Sequence, residues 1–151
     1  MENNIVPVPE APIRRMLEKI SPGSVLGGIQ LFTGDQAGDH SNETFFVDFV
    51  QADGIRRRVA VKRYTTIVGH YASKAWVEFN TLAFLEQSHV PALKPVFVDG
   101  DGALFGAPAI VTEFAPGKKV MFPDLPQDVL RWGQEMGEVL ARIHTLPCGQ
   151  V

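Results

Sequence analysis

The stretch Val59-Ala60-Val61-Lys62-Arg63-Tyr64 decides how this chain folds. Valine and tyrosine favour extended backbone, and side chains along a strand alternate between its two faces. Val59 and Val61 therefore share one face, and Ala60 and Lys62 share the other. A small residue beside a cation leaves room for a bound ligand that carries an anion. The alternative is a snorkelling lysine, its stem packed and its ammonium wet.

Working upstream, Asp53-Gly54 is a turn that leads into this strand, placed at Arg58 to Tyr64. Thr44 to Val50, rich in phenylalanine and valine, is a second strand. Gly34 to Asn42 is polar and glycine-containing and reads as a loop, and Gly28 to Thr33 is a first strand. Ahead of it, Met1 to Pro12 reads as a loose arm, and Arg14 to Ile20 as a short helix stopped by Ser21-Pro22-Gly23.

Downstream the hydrophobic period changes. Ala72, Ala75, Trp76, Phe79, Leu82 and Ala83 recur at helical spacing and form one apolar arc. Glu78 falls on the flank of that arc, close enough to the buried side to point inward. It either reaches Lys62 or forms a surface pair with Lys74, four residues earlier. Val90-Pro91 ends the helix. Lys94 to Val98 and Leu104 to Phe114 read as two more strands, with Asp99-Gly100-Asp101-Gly102 as the hairpin turn between them. A calcium loop is excluded there, because its closing glutamate would fall at Ile110. Ala115-Pro116-Gly117 breaks the sheet, and Asp128 to Leu146 is a long helix. Val129, Trp132, Met136, Val139, Leu140 and Ile143 form its apolar face. The order of strands with one inserted helix defines an α+β class.

Composition narrows the function. At 151 residues the default is one domain. A net charge of −3 gives no drive toward nucleic acid or an anionic membrane. The only basic run, Arg56-Arg57-Arg58, reads as a solvated hairpin shoulder. Cys148 is the single cysteine, so no intrachain disulfide forms. His40, His70, His89 and Cys148 lack metal-ligand spacing. There is no signal-peptide pattern and no apolar run long enough to span a bilayer. The expectation is a cytoplasmic, soluble protein.

Four segments, in this order, carry a resemblance. They are Ser41-Asn42-Glu43-Thr44-Phe45, Val59-Ala60-Val61-Lys62, Glu78 with its following leucines, and Ile110-Val111-Thr112-Glu113-Phe114-Ala115-Pro116-Gly117. With Leu140-Ala141-Arg142-Ile143-His144 they resemble the amino-terminal lobe of the aminoglycoside phosphotransferase and choline kinase-like group, small-molecule kinases with a protein-kinase-like fold. The resemblance runs from about Gly28 to His144. It implies a five-stranded antiparallel sheet with a helix C equivalent, then the first helix of a carboxy-terminal lobe. The implied division is an arm and short helix at 1–27, a nucleotide-binding lobe with hinge at 28–117, and the start of a truncated second lobe at 118–151.

The resemblance also implies roles. Ser41 and Asn42 would belong to the loop over the ATP phosphates, although no G-x-G-x-x-G is present and Asp35, Asp39 and Glu43 place acid nearby. Lys62 would hold the α- and β-phosphates, oriented by Glu78. Ala60 and Val47 would lie against the adenine. Thr112 would be the gatekeeper, and the Glu113 carbonyl and Ala115 N–H would meet the base edge. His144 would be structural.

No H-G-D or H-R-D sequence occurs, so no catalytic base or metal ligand is assigned to this chain. The Mg2+ ligands are expected in the missing lobe. Three readings stand: the ATP-binding lobe of a phosphotransferase acting on a small-molecule hydroxyl, a non-enzymatic module of the same shape, or a small α+β domain with no nucleotide role. The module would bind a protein partner, or itself, through 128–146.

Overall fold

The computed structural model describes residues 10–31, 42–65, 71–88, 90–117 and 126–147. Helix α1 spans Glu10–Ile20. Three strands follow: β1 (Val25–Leu31), β2 (Asn42–Val50) and β3 (Arg56–Tyr64). Helix α2 spans Tyr71–Gln87. Strands β4 (Pro95–Asp99) and β5 (Ala109–Glu113) come next, then helix α3 (Pro126–His144). The strands form one five-stranded sheet in the order β1-β2-β3-β5-β4, with every neighbouring pair antiparallel. β3 is the central strand.

Strand alternation sorts the sheet into two faces. Phe45, Val47, Phe49, Val59, Val61, Ala109 and Val111 point to one face, where Ile13, Met16 and Leu17 of α1 close the main core. Those three α1 residues recur at the 3–4 spacing of one helix face. Phe45 is fully buried and meets Phe105 edge to face at 6.3 Å. Truncating such a residue costs about 3–5 kcal/mol. The opposite face carries Ala60, Lys62, Tyr64, Ile110 and Thr112. Part of it is covered by α2, which packs Ala75, Phe79 and Leu82 on Tyr64, Ile110 and Val98.

Several expected boundaries move, each for a physical reason. α1 starts at Glu10 rather than Arg14 because Ile13, fully buried, anchors its first turn in the core. The rest of the segment expected as an arm, 1–9, lies outside the described residues. β1 starts at Val25, so a division at 27/28 cuts a strand, and α1 belongs to the core of the sheet. β2 starts at Asn42, where the ladder to β3 already pairs Asn42 with Tyr64.

The expected strand from Leu104 is shorter. The Asp99 carboxylate accepts the N–H groups of Leu104 (3.0 Å) and Phe105 (2.8 Å), which curls the chain into a longer loop. Gly102 (φ 74°) and Gly106 (φ 73°) turn that loop in the left-handed region, and β5 begins only at Ala109. Burial of Asp99 pushes its carboxyl above the usual carboxylate range, while the two backbone donors oppose that shift.

α3 is amphipathic, as its sequence predicts. Val129, Leu130, Met136 and Leu140 are each more than half exposed.

Candidate nucleotide-binding face

The register of β2, β3 and β5 builds a face row by row. Phe46, Ala60 and Thr112 are cross-strand partners and form one row. Thr44, Lys62 and Ile110 form the next. Ala60 is the small member of its row and leaves a shelf beside the lysine. Thr112 is buried, Glu113 is exposed at the end of β5, and Ala115 is exposed just beyond it. The Glu113 N–H donates to the Lys94 carbonyl at 2.9 Å, which ties down the end of β5.

Lys62 projects from this face to Glu78 of α2. Its Nζ donates to both carboxylate oxygens, at 3.2 Å to Oε1 and 3.1 Å to Oε2. About one third of each side chain is exposed, so the pair is neither a loose surface contact nor sealed from ligand. The helix flank predicted for Glu78 is the one that faces the sheet, and the carboxylate meets Lys62.

A third member was missed. The Tyr64 hydroxyl donates to Glu78 Oε2, and its ring lies 5.2 Å from Lys62 Nζ and 5.5 Å from Lys74 Nζ. Burial, followed by the Glu78 carboxylate, drives the Tyr64 phenol far above its ordinary range, so it stays a neutral donor. The signal was present in the sequence, since Tyr64 is two residues from Lys62 and must share its face.

Val47 does not join this face. It pairs with Val59, is fully buried, and faces the α1 core. A strand reverses its facing with each residue, so the β2 side chain opposite Ala60 is Phe46. Phe46 meets Phe114 edge to face at 5.1 Å. Arg58 lies over Phe114 at 5.3 Å and forms a two-pronged pair with Asp48, both contacts 2.7 Å. Arg58 is thus a structured member of this face rather than a solvated shoulder. Its hydrogen bonds hold the Asp48 carboxyl below the usual carboxylate range.

Glu43 is also turned away from Lys62. It pairs with Arg63 at 2.8 Å, one residue out of phase with the lysine. That acid is therefore neutralised on the other face. Asn42 is the first residue of β2, opposite Tyr64. Ser41, Asp35 and Asp39 lie outside the described residues. Among the described residues, no three His, Cys, Asp or Glu side chains gather as a metal site, and no helix is long and apolar enough to cross a membrane.

An antiparallel five-stranded sheet whose central-strand lysine pairs with a helix glutamate is the amino-terminal lobe of a protein-kinase-like fold. Its likeness to a solved structure agrees. A Ralstonia eutropha JMP134 protein, provisionally assigned as an aminoglycoside phosphotransferase, superposes with a TM-score of 0.66 at 19% identity. The superposition covers 91% of this chain and 38% of that one, so this chain spans well under half the length of its solved relative. No curated protein matches the sequence. Residues 36–151, more than half of the chain, match the phosphotransferase enzyme family, and the chain belongs to that family.

Proposed function

We propose that this chain is the ATP-binding lobe of a cytoplasmic small-molecule phosphotransferase that transfers a phosphoryl group to a substrate hydroxyl. The carrying observation is the Lys62–Glu78 pair beside the Ala60 shelf. Phosphoryl transfer depends on positioning and on stabilising charge spread over phosphate oxygens. Lys62 would present its ammonium to the α- and β-phosphates, and Glu78 would fix its direction. The base would lie on the shelf of Ala60 and Phe46, with Thr112 at its back and the backbone of Glu113 and Ala115 along its edge. Asn42 and Ser41 would lead into the loop above the phosphates.

On this reading the lobe expected at 28–117 begins earlier, with β1 at Val25 and α1 packed behind it, and 118–151 opens the second lobe. The catalytic base and the Mg2+ ligands would come from that second lobe, beyond the part of the enzyme this chain represents. The residues present suit the nucleotide, because the lysine is a partly exposed cation on an open face.

Titration with a non-hydrolysable ATP analogue tests the proposal. Lys62→Ala is expected to weaken binding about tenfold or more, the loss of one charge-assisted contact. Unchanged binding in that variant would sink the nucleotide reading.

The exposed α3 face supports a second reading, a non-enzymatic module that binds a protein or a second copy through 128–146. Leu130 is 73% and Met136 72% exposed, an apolar surface of the kind that marks an interface. A monomer by light scattering across a wide concentration range counts against self-association.

A further inference from the structure

Glu78 Oε2 has two donors, Lys62 and the hydroxyl of Tyr64. The two donors differ in freedom. Tyr64 is 2% exposed and is fixed among Ala75, Ile110, Phe79, Leu82 and Val98. Lys62 ends in a flexible stem with a third of its side chain exposed. Hydrogen bonding to a stationary donor holds the carboxylate in one orientation whether or not the lysine stays.

We infer that Tyr64 is a positioning residue: its hydroxyl locks Glu78 toward the sheet so that Lys62 is delivered to phosphate oxygens rather than to solvent. This rests on the nucleotide reading above. A phosphate group draws the ammonium outward, and Glu78 then keeps the Tyr64 hydroxyl as a partner. The cost of moving the lysine falls, and its direction of approach is preserved. The ring adds to this, because it lies beside both Lys62 and Lys74 and gives the ammonium a favourable surface along its path.

Tyr64→Phe removes the hydroxyl and keeps the ring, so packing and the cation–ring contacts remain. Binding of adenosine and of a non-hydrolysable ATP analogue is compared in the wild-type protein and Tyr64→Phe, each with and without Glu78→Gln. The expected result is about a tenfold loss for the ATP analogue, the weight of one hydrogen bond to a charged group. Adenosine binding stays unchanged, and the Tyr64→Phe effect vanishes in the Glu78→Gln background. Equal losses for both ligands, no loss, or a loss that persists with Glu78→Gln would each overturn the inference. So would a Tyr64→Phe protein that does not fold, since the hydroxyl would then serve the structure. A wild-type protein that binds no ATP analogue refutes the nucleotide reading itself, a separate outcome.

Discussion

Raising the pH titrates Tyr64 in the unfolded chain well before the folded one, which tests the site without any ligand. The phenol is buried against Glu78, and both effects favour its neutral form, so its folded pKa lies well above the ordinary 10.0. The unfolded chain releases that proton near pH 10, while the folded chain holds it. A group whose pKa is raised on folding contributes stability that is complete below the unfolded pKa and is lost as the pH rises toward the folded one. Relative to its value at pH 8, the loss is about 0.4 kcal/mol at pH 10 and about 1.4 kcal/mol at pH 11. Urea unfolding of the wild-type protein and of Tyr64→Phe at pH 8, 10 and 11 isolates this difference, because the lysines titrate in both. Absorbance at 295 nm supplies the direct reading. The chain has two tyrosines, so Tyr64→Phe leaves Tyr71 as the sole phenol. The difference spectrum assigns the Tyr64 signal. A Tyr64 phenolate that appears near pH 10 in the folded protein, or equal pH slopes in the two proteins, would refute the buried hydrogen bond to Glu78.

Two further expectations concern the frame of the site. Asp48 has its pKa lowered by Arg58, so it adds stability above the ordinary carboxylate pKa that fades as the pH falls through the lowered value; thermal melts between pH 5 and pH 3 should fall less steeply for Asp48→Asn than for the wild-type protein. Gly102 has φ 74°, and an added Cβ would lie 2.6 Å from the Ala107 carbonyl carbon; Gly102→Ala should cost about 1–3 kcal/mol in chemical denaturation, by strain in the β4–β5 loop.

The sheet and the lysine were legible because β periodicity is a local signal. Val59 to Lys62 declares its own facing, and the 3.6 period around Phe79 places Glu78 on the correct flank. The errors have a common origin in contacts that cross strands. The family resemblance places Val47 over the base, yet facing depends on register, which pairs Val47 with Val59 and Ala60 with Phe46. Arg58 looked solvated because its partners, Asp48 and Phe114, come from two other segments. The loop before β5 looked like strand because Leu104 and Phe105 are apolar. The carboxylate of Asp99, not hydrophobicity, sets their course. Ile13 was hidden behind the prolines of the amino-terminal segment, and only the packing of α1 shows its weight.

The strand order has a consequence for how the site is assembled in time. β1, β2 and β3 join neighbours in the chain, so they can form early. β5 must travel back past β4 to reach β3, pairing Ile110 with Lys62 across a long span of sequence. Such pairings form slowly. Until then β3 is a sheet edge, the kind of surface that recruits foreign strands. Its sequence carries Arg56, Arg57, Arg58, Lys62 and Arg63. The cations that later serve Asp48, Glu43 and Glu78 thus also guard the nascent edge, keeping the half-built lobe from pairing with the wrong chain.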